Sequence, residues 1–369
     1  MGDPKEITTL QTSSIIISTI IGVGVLPLPL FAVRAGDTGA PLVTLAGIAL
    51  AAIGLFIITL LGMRHPDKTI ITYSQLIIGK WLGRFCSLFI IFFFLVLTGL
   101  ASREFGAVVV SAVLRETPLE VTVIVMLLLA CLSCRNNINV FSYIHNFYVP
   151  IILAPAIIVV VLSLKNANIL YLRPLIGTNY YNMFTGMLTI SALFQGSFII
   201  TMIIPSMKTP NKALKASFWG IFISGGLYLS LVIATVAVFG PEEIKQIFWP
   251  TLELARTTTV PGNILQRLDV IFLAVWVTAV FTTLFSSYYF TIHAIKEFCH
   301  LQDHKMLTYF ILPFVFILAM IPQDILQMYE VIQYVGRAGL LITILYPSLL
   351  LGIDFLKGWR RKKSVSQQS

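Results

Sequence analysis

The chain of 369 residues is 57% hydrophobic and only 11% charged, against about 25% charged for soluble domains, which excludes a water-soluble globular fold. With a mean hydropathy of +0.90 and about 20 apolar residues needed per helical crossing, it reads as an all-α polytopic membrane protein. The 25 Lys and Arg against 16 Asp and Glu give +9, but many of these basic residues sit in short segments between apolar runs. That pattern orients membrane helices, and no compact basic domain for nucleic acid accompanies it.

About a dozen polar residues lead, without a small-residue cleavage site, into an apolar run at 10–33, read as a retained first span. It is broken at Gly22, Val23 and Gly24 and again at Pro27 and Pro29. Runs at 40–63, 85–113, 119–134 and 140–164 complete five spans. After a polar stretch holding Arg173, runs at 183–207, 214–239, 264–292, 306–321 and 335–355 make five more.

Ten spans put both termini on one side. That side carries sixteen Lys and Arg, including Lys5, Arg64, Lys208 and Lys305, against eight on the other, so both termini are expected in the cytoplasm. Arg103 alone is left over, inside the third span. One membrane domain is expected, with repeat one at about 10–165, repeat two at about 183–356 and a basic tail at 357–369.

The halves echo one another. Gln195 and Gly196 interrupt the sixth span 174 residues after the glycines of the first, and spans two and seven share a similar offset. Five spans per half must give the halves opposite orientations, the pattern of inverted-repeat transporters whose ligand sits at broken helices near the midplane.

Several residues carry candidate chemistry. Gly22 and Gly24 let the backbone leave the helix, and Pro27 and Pro29 suit the first turn of a restarted one. The restarted helix has about half a positive charge at its N-terminus, which attracts a carboxylate. Gln195 and Gly196 offer an amide and freed carbonyls, suited to an ammonium group. Thr283 and Ser287, four apart, share a helix face and read as pocket lining, the alternative being a bond back to their own backbone.

Arg103 and Glu104 are ionisable residues at membrane depth. They are neighbours about 100° apart, so each needs a partner on another helix or a water-filled cavity, with snorkelling open to Arg103, and they are read as a site or gate, or as structural ion pairs. Cys131 with Cys134, and His300 with His304, lack the further ligands a metal needs, so no metal or cofactor is expected. Arg360, Arg361, Lys362 and Lys363 read as a headgroup anchor. The segment 241–262, holding Trp249, is either a lid or partner contact, or a loop packed on the bundle. No GxGxxG, P-loop, HExxH or GxSxG pattern supports an enzyme.

The segment IGVGVLPLP at 21–29 resembles the first-helix motif of the amino acid, polyamine and organocation transporter superfamily. GKWLG at 79–83, LRP at 172–174, WPTLEL at 249–254, RLD at 267–269 with Trp276, and Pro322 with Asp324 resemble the B subunit of Ger-type spore germinant receptors. The resemblance implies a ten-helix, LeuT-like 5+5 inverted repeat with helices 1 and 6 broken, in the spore inner membrane. It also implies a receptor A subunit and a lipoprotein C subunit as partners, and a small nutrient ligand, usually an amino acid. Carried over, the ligand contacts are Gly22, Val23, Gly24, Leu97, Gln195, Gly196, Thr283 and Ser287. Arg103 matches a basic residue often found at its place. Leu97 and Gln195 stand where the family varies, so ligand identity does not transfer. The expected function is nutrient sensing that triggers germination; the alternatives are a proton- or sodium-coupled amino acid transporter and a structural subunit with a vestigial pocket.

Overall fold

The computed structural model describes residues 5–174, 180–258 and 268–366, with side chains described to residue 357. Arg267, part of the 241–262 segment and the side chains of Arg360, Arg361, Lys362 and Lys363 lie outside the described residues.

The described chain is all-helical, and among its residues the sole β feature is an isolated bridge between Ile7 and Met207. Thr8 starts α1 (Thr9–Ile20) with a capping box, its hydroxyl accepting from the Gln11 amide while Gln11 Oε1 accepts from the Thr8 amide. After the break follow α2 (Leu28–Gly36), α3 (Ala40–Arg64), α4 (Ile70–Ile78), α5 (Lys80–Ala112), α6 (Leu119–Ser133) and α7 (Ile138–Ser163). The second half holds α8 (Tyr180–Ala192), α9 (Ile200–Ile203), α10 (Ala213–Phe239), α11 (Pro241–Ile244) and α12 (Pro250–Thr257). It ends with α13 (Leu268–Phe298), α14 (Lys305–Met320), α15 (Ile325–Leu340) and α16 (Tyr346–Ser366).

Six segments among the described residues are long and apolar enough to cross a bilayer: Leu28–Arg64, Lys80–Ala112, Ile138–Asn166, Pro210–Phe239, Leu268–Phe298 and Ile325–Lys357. Tyr180–Ala192 with Gln195–Ser206, bent by 43°, makes a seventh when counted as one span. Leu119–Ser133 and Lys305–Met320 are shorter apolar helices. The molecule is therefore a polytopic membrane protein. Within Leu28–Arg64 the chain turns at Asp37, which takes φ 48°, and α2 and α3 pack against each other across that turn.

Large apolar side chains cover much of the surface, as lipid requires, and the mainly apolar interior also holds many hydroxyls. Phe85, Leu88, Phe89 and Phe92 of α5 face outward, whereas Thr12, Ser18, Ser102, His145, Ser224 and Thr282 are buried. The buried helix is α1, packed among α7, α10 and α13, while α8 lies against α2 and α3.

The structure differs from the sequence reading at the last span. A run at 335–355 is expected, yet α15 begins at Ile325 and passes through one π-helical turn, Leu341–Leu345, into α16. Gln327, Glu330 and Gln333 dilute the hydropathy of a helix whose other residues are mostly apolar. Asp324 caps it by accepting from the Gln327 amide at 2.8 Å.

Candidate ligand-binding site

The last carbonyls of a helix have no partner within it, and in an apolar interior each must find one. At the end of α1 other helices supply them. Thr282 Oγ1 donates to the Ser18 carbonyl at 2.9 Å, Thr283 Oγ1 to Thr19 at 3.0 Å and Tyr228 Oη to Ile20 at 2.7 Å. Trp276 Nε1 donates to Gly22 at 3.3 Å and Thr251 Oγ1 to Val25 at 2.7 Å. Side chains of α10, α12 and α13 thus hold the unwound strand. Gly22 is required here by close approach: a Cβ on it would lie 2.0 Å from Thr283 Oγ1.

The second break begins where α8 ends. The Leu193 and Phe194 amides turn back to the Ile190 and Ser191 carbonyls, both at 3.1 Å, and a 3-10 turn over Gln195–Ile199 leads into α9. Gln195 Nε2 donates to the Gly336 carbonyl of α15 at 2.7 Å, while Gln195 Oε1 is buried with no hydrogen-bond partner. Gly196 rests on α1, where a Cβ would lie 2.8 Å from Thr19 Cγ2 and 3.0 Å from the Thr19 carbonyl oxygen. The two breaks touch.

Between them lies a cavity of about 90 Å³, several times what a single water needs. Val23, Gly24, Leu97, Gln195, Gly196, Thr283 and Ser287 line it, together with Glu104. Gly22 stands behind Thr283 rather than in the wall. The Thr283 hydroxyl commits its proton across to α1, and Ser287 Oγ bonds back to the Thr283 and Leu284 carbonyls, both at 3.2 Å. Both hydroxyls therefore spend their protons on backbone carbonyls and keep only acceptor capacity.

The match to known proteins takes in both helix breaks. A family model described as spore germination protein matches residues 6–328, from the start of α1 into α15. The chain belongs to the spore germination protein family. Among its relatives, Spore germination protein YndE of Bacillus subtilis (strain 168) is 27% identical over 361 residues, covering 97% of this chain and 98% of that protein. Spore germination protein B2 of the same organism is 26% identical over 364 residues, covering 97% and 96%. Spore germination protein GerLB of Bacillus cereus is 23% identical over 365 residues, covering 96% and 95%.

In this member of the spore germination protein family, Arg103 and Glu104 part company. Arg103 Nη2 donates to the Gln323 carbonyl at 3.2 Å beside Asp324, outside the cavity. Glu104 faces inward and accepts from Tyr329 Oη at 3.3 Å, and Tyr329 Oη accepts from Trp249 Nε1 at 2.7 Å. The segment between α11 and α12 is thereby latched to α15 and α5.

Sequence reasoning missed Tyr329 and Gln333, which it placed outside a span, and Gly336, at the start of the last run. It also missed Thr19 and His145. Thr19 Oγ1 lies 2.6 Å from Ser286 Oγ, Ser286 Oγ 3.2 Å from His145 Nε2, and His145 Nδ1 2.6 Å from Ser18 Oγ. A lone histidine in an apolar run was the available signal. Among the described residues, no group of three or more His, Cys, Asp or Glu is placed to hold a metal.

Proposed function

We propose that this protein is the nutrient-sensing subunit of a spore germinant receptor, binding an amino acid or similar small nutrient between the two helix breaks and so triggering germination. The observation that carries this reading is the cavity where the breaks meet, walled by Val23, Gly24, Gln195 and Gly196. A ligand there touches both breaks at once, so it can favour one arrangement of the broken helices over another, which any signal requires.

The reading includes a LeuT-like 5+5 inverted repeat of ten spans. In it, α1 with α2 and α8 with α9 form the broken first and sixth spans, and α6 and α14 serve as short fourth and ninth spans. Both termini are cytoplasmic, the membrane is the spore inner membrane, and an A subunit and a lipoprotein C subunit complete the receptor. The family membership and the relatives named for spore germination support this assignment.

A second reading, ion-coupled transport, draws support from Glu104, a buried carboxylate at the cavity. Purified protein in liposomes, given labelled amino acids under imposed proton and sodium gradients, separates the two. Saturable binding without accumulation is expected of the sensor, and gradient-driven accumulation would overturn it.

A further inference from the structure

We infer that the ligand carries a cationic group, distinct from the groups held at the helix breaks, that pairs with Glu104. This rests on the proposed reading of the cavity as the ligand site.

Leu97, Leu100, Ala101 and Glu104 all line the cavity. Their spacing of three, four and seven residues places them on one face of α5. Seven residues of α-helix span about 10 Å. The face thus runs as an apolar strip from the level of Leu97 to a carboxylate one ligand length away. Glu104 is 2% exposed, and among the described residues no Lys, Arg or His lies within ion-pair distance of it. Its neighbour Arg103 is turned to the Gln323 carbonyl. Tyr329 supplies one neutral donor, oriented by Trp249.

The rest of the polar wall has the same bias. Gln195 lines the cavity, and its Oε1 is buried with no partner. Thr283 and Ser287 direct their protons to backbone carbonyls. These side chains offer acceptors rather than donors, and a buried carboxylate without a counter-charge is costly. The occupant that answers both is one that brings donors and positive charge: an amino acid with a basic side chain, or a diamine, its methylenes along Leu97, Leu100 and Ala101.

The test is calorimetric binding to the full-length protein in lipid nanodiscs, with L-lysine, L-norleucine and cadaverine as probes. Norleucine keeps the carbon skeleton of lysine and lacks its terminal amine. Lysine or cadaverine is expected to bind at least tenfold more tightly than norleucine, the tighter of the two telling amino acid from diamine. E104Q is expected to remove that preference, so that lysine and cadaverine bind this variant within about twofold of norleucine. Norleucine binding as tightly as lysine to the unaltered protein would overturn the inference while the cavity stands as the ligand site, and this comparison needs no variant to fold. Binding of none of the probes, nor of any of the twenty amino acids, would overturn the reading of the site and the inference with it.

Discussion

Gly22 and Thr283 are in contact that only a glycine permits: Thr283 Oγ1 would lie 2.0 Å and Thr283 Cβ 2.7 Å from any Cβ at position 22. The same hydroxyl donates to the Thr19 carbonyl at 3.0 Å. One threonine thus seals the end of α1 and fixes how closely α13 approaches the break.

Gly22→Ala must therefore move Thr283 or the strand. We expect it to lower ligand affinity at least tenfold at unchanged protein level, measured by calorimetry in nanodiscs. Gly226→Ala is the control, since nothing lies within 4 Å of a Cβ there, and should leave affinity unchanged.

Tyr228→Phe removes the donor to the Ile20 carbonyl and leaves a buried acceptor without a partner. Such a loss costs about 1–3 kcal/mol. The variant should melt at a lower temperature in detergent, whereas Ser230→Ala, which removes an exposed bond to the Gly226 carbonyl of its own helix, should melt with the unaltered protein.

Trp249→Phe keeps an aromatic side chain, smaller than indole, and deletes the bond to Tyr329 that latches the 241–258 segment over α15. One hydrogen bond is worth about 1 kcal/mol net, so ligand release measured by stopped flow should quicken about fivefold. Release at the unaltered rate would show that this segment does not close the site.

The breaks were legible because their signals are local. Two glycines with two prolines, and a Gln–Gly pair 174 residues on, interrupt otherwise continuous apolar runs. The partners that stabilise the first break were not legible. Thr251, Tyr228, Trp276 and Thr283 come from 208 to 265 residues away, and hydropathy carries no information about which carbonyl a hydroxyl will reach. The first ten residues of α15 were lost for another reason. Their polar residues, which lower the hydropathy of this stretch, include Gln333, which with Gly336 forms a wall of the cavity. For Arg103 and Glu104, helical geometry separated the two side chains without naming Gln323 and Tyr329 as their partners.

At the surface, Lys245 pairs with Asp37 at 2.5 Å and Glu242 at 2.8 Å. Their hydrogen bonds hold its ammonium above the ordinary lysine range. The folded pKa being raised, the stabilisation is fully present below the unfolded value of about 10.4 and is lost as pH rises through the folded one. Lys245→Met should melt lower near neutral pH, by no more than about 1 kcal/mol for so exposed a pair. The difference should vanish in strongly alkaline buffer.

A ligand seated between the two breaks is tested by equilibrium binding of labelled amino acids to the unaltered protein, Gly22→Leu and Thr283→Leu side by side in nanodiscs. Saturable binding to the unaltered protein and at least a tenfold loss in both variants, at equal folded amounts, are expected. Binding of equal strength in all three would place the ligand elsewhere.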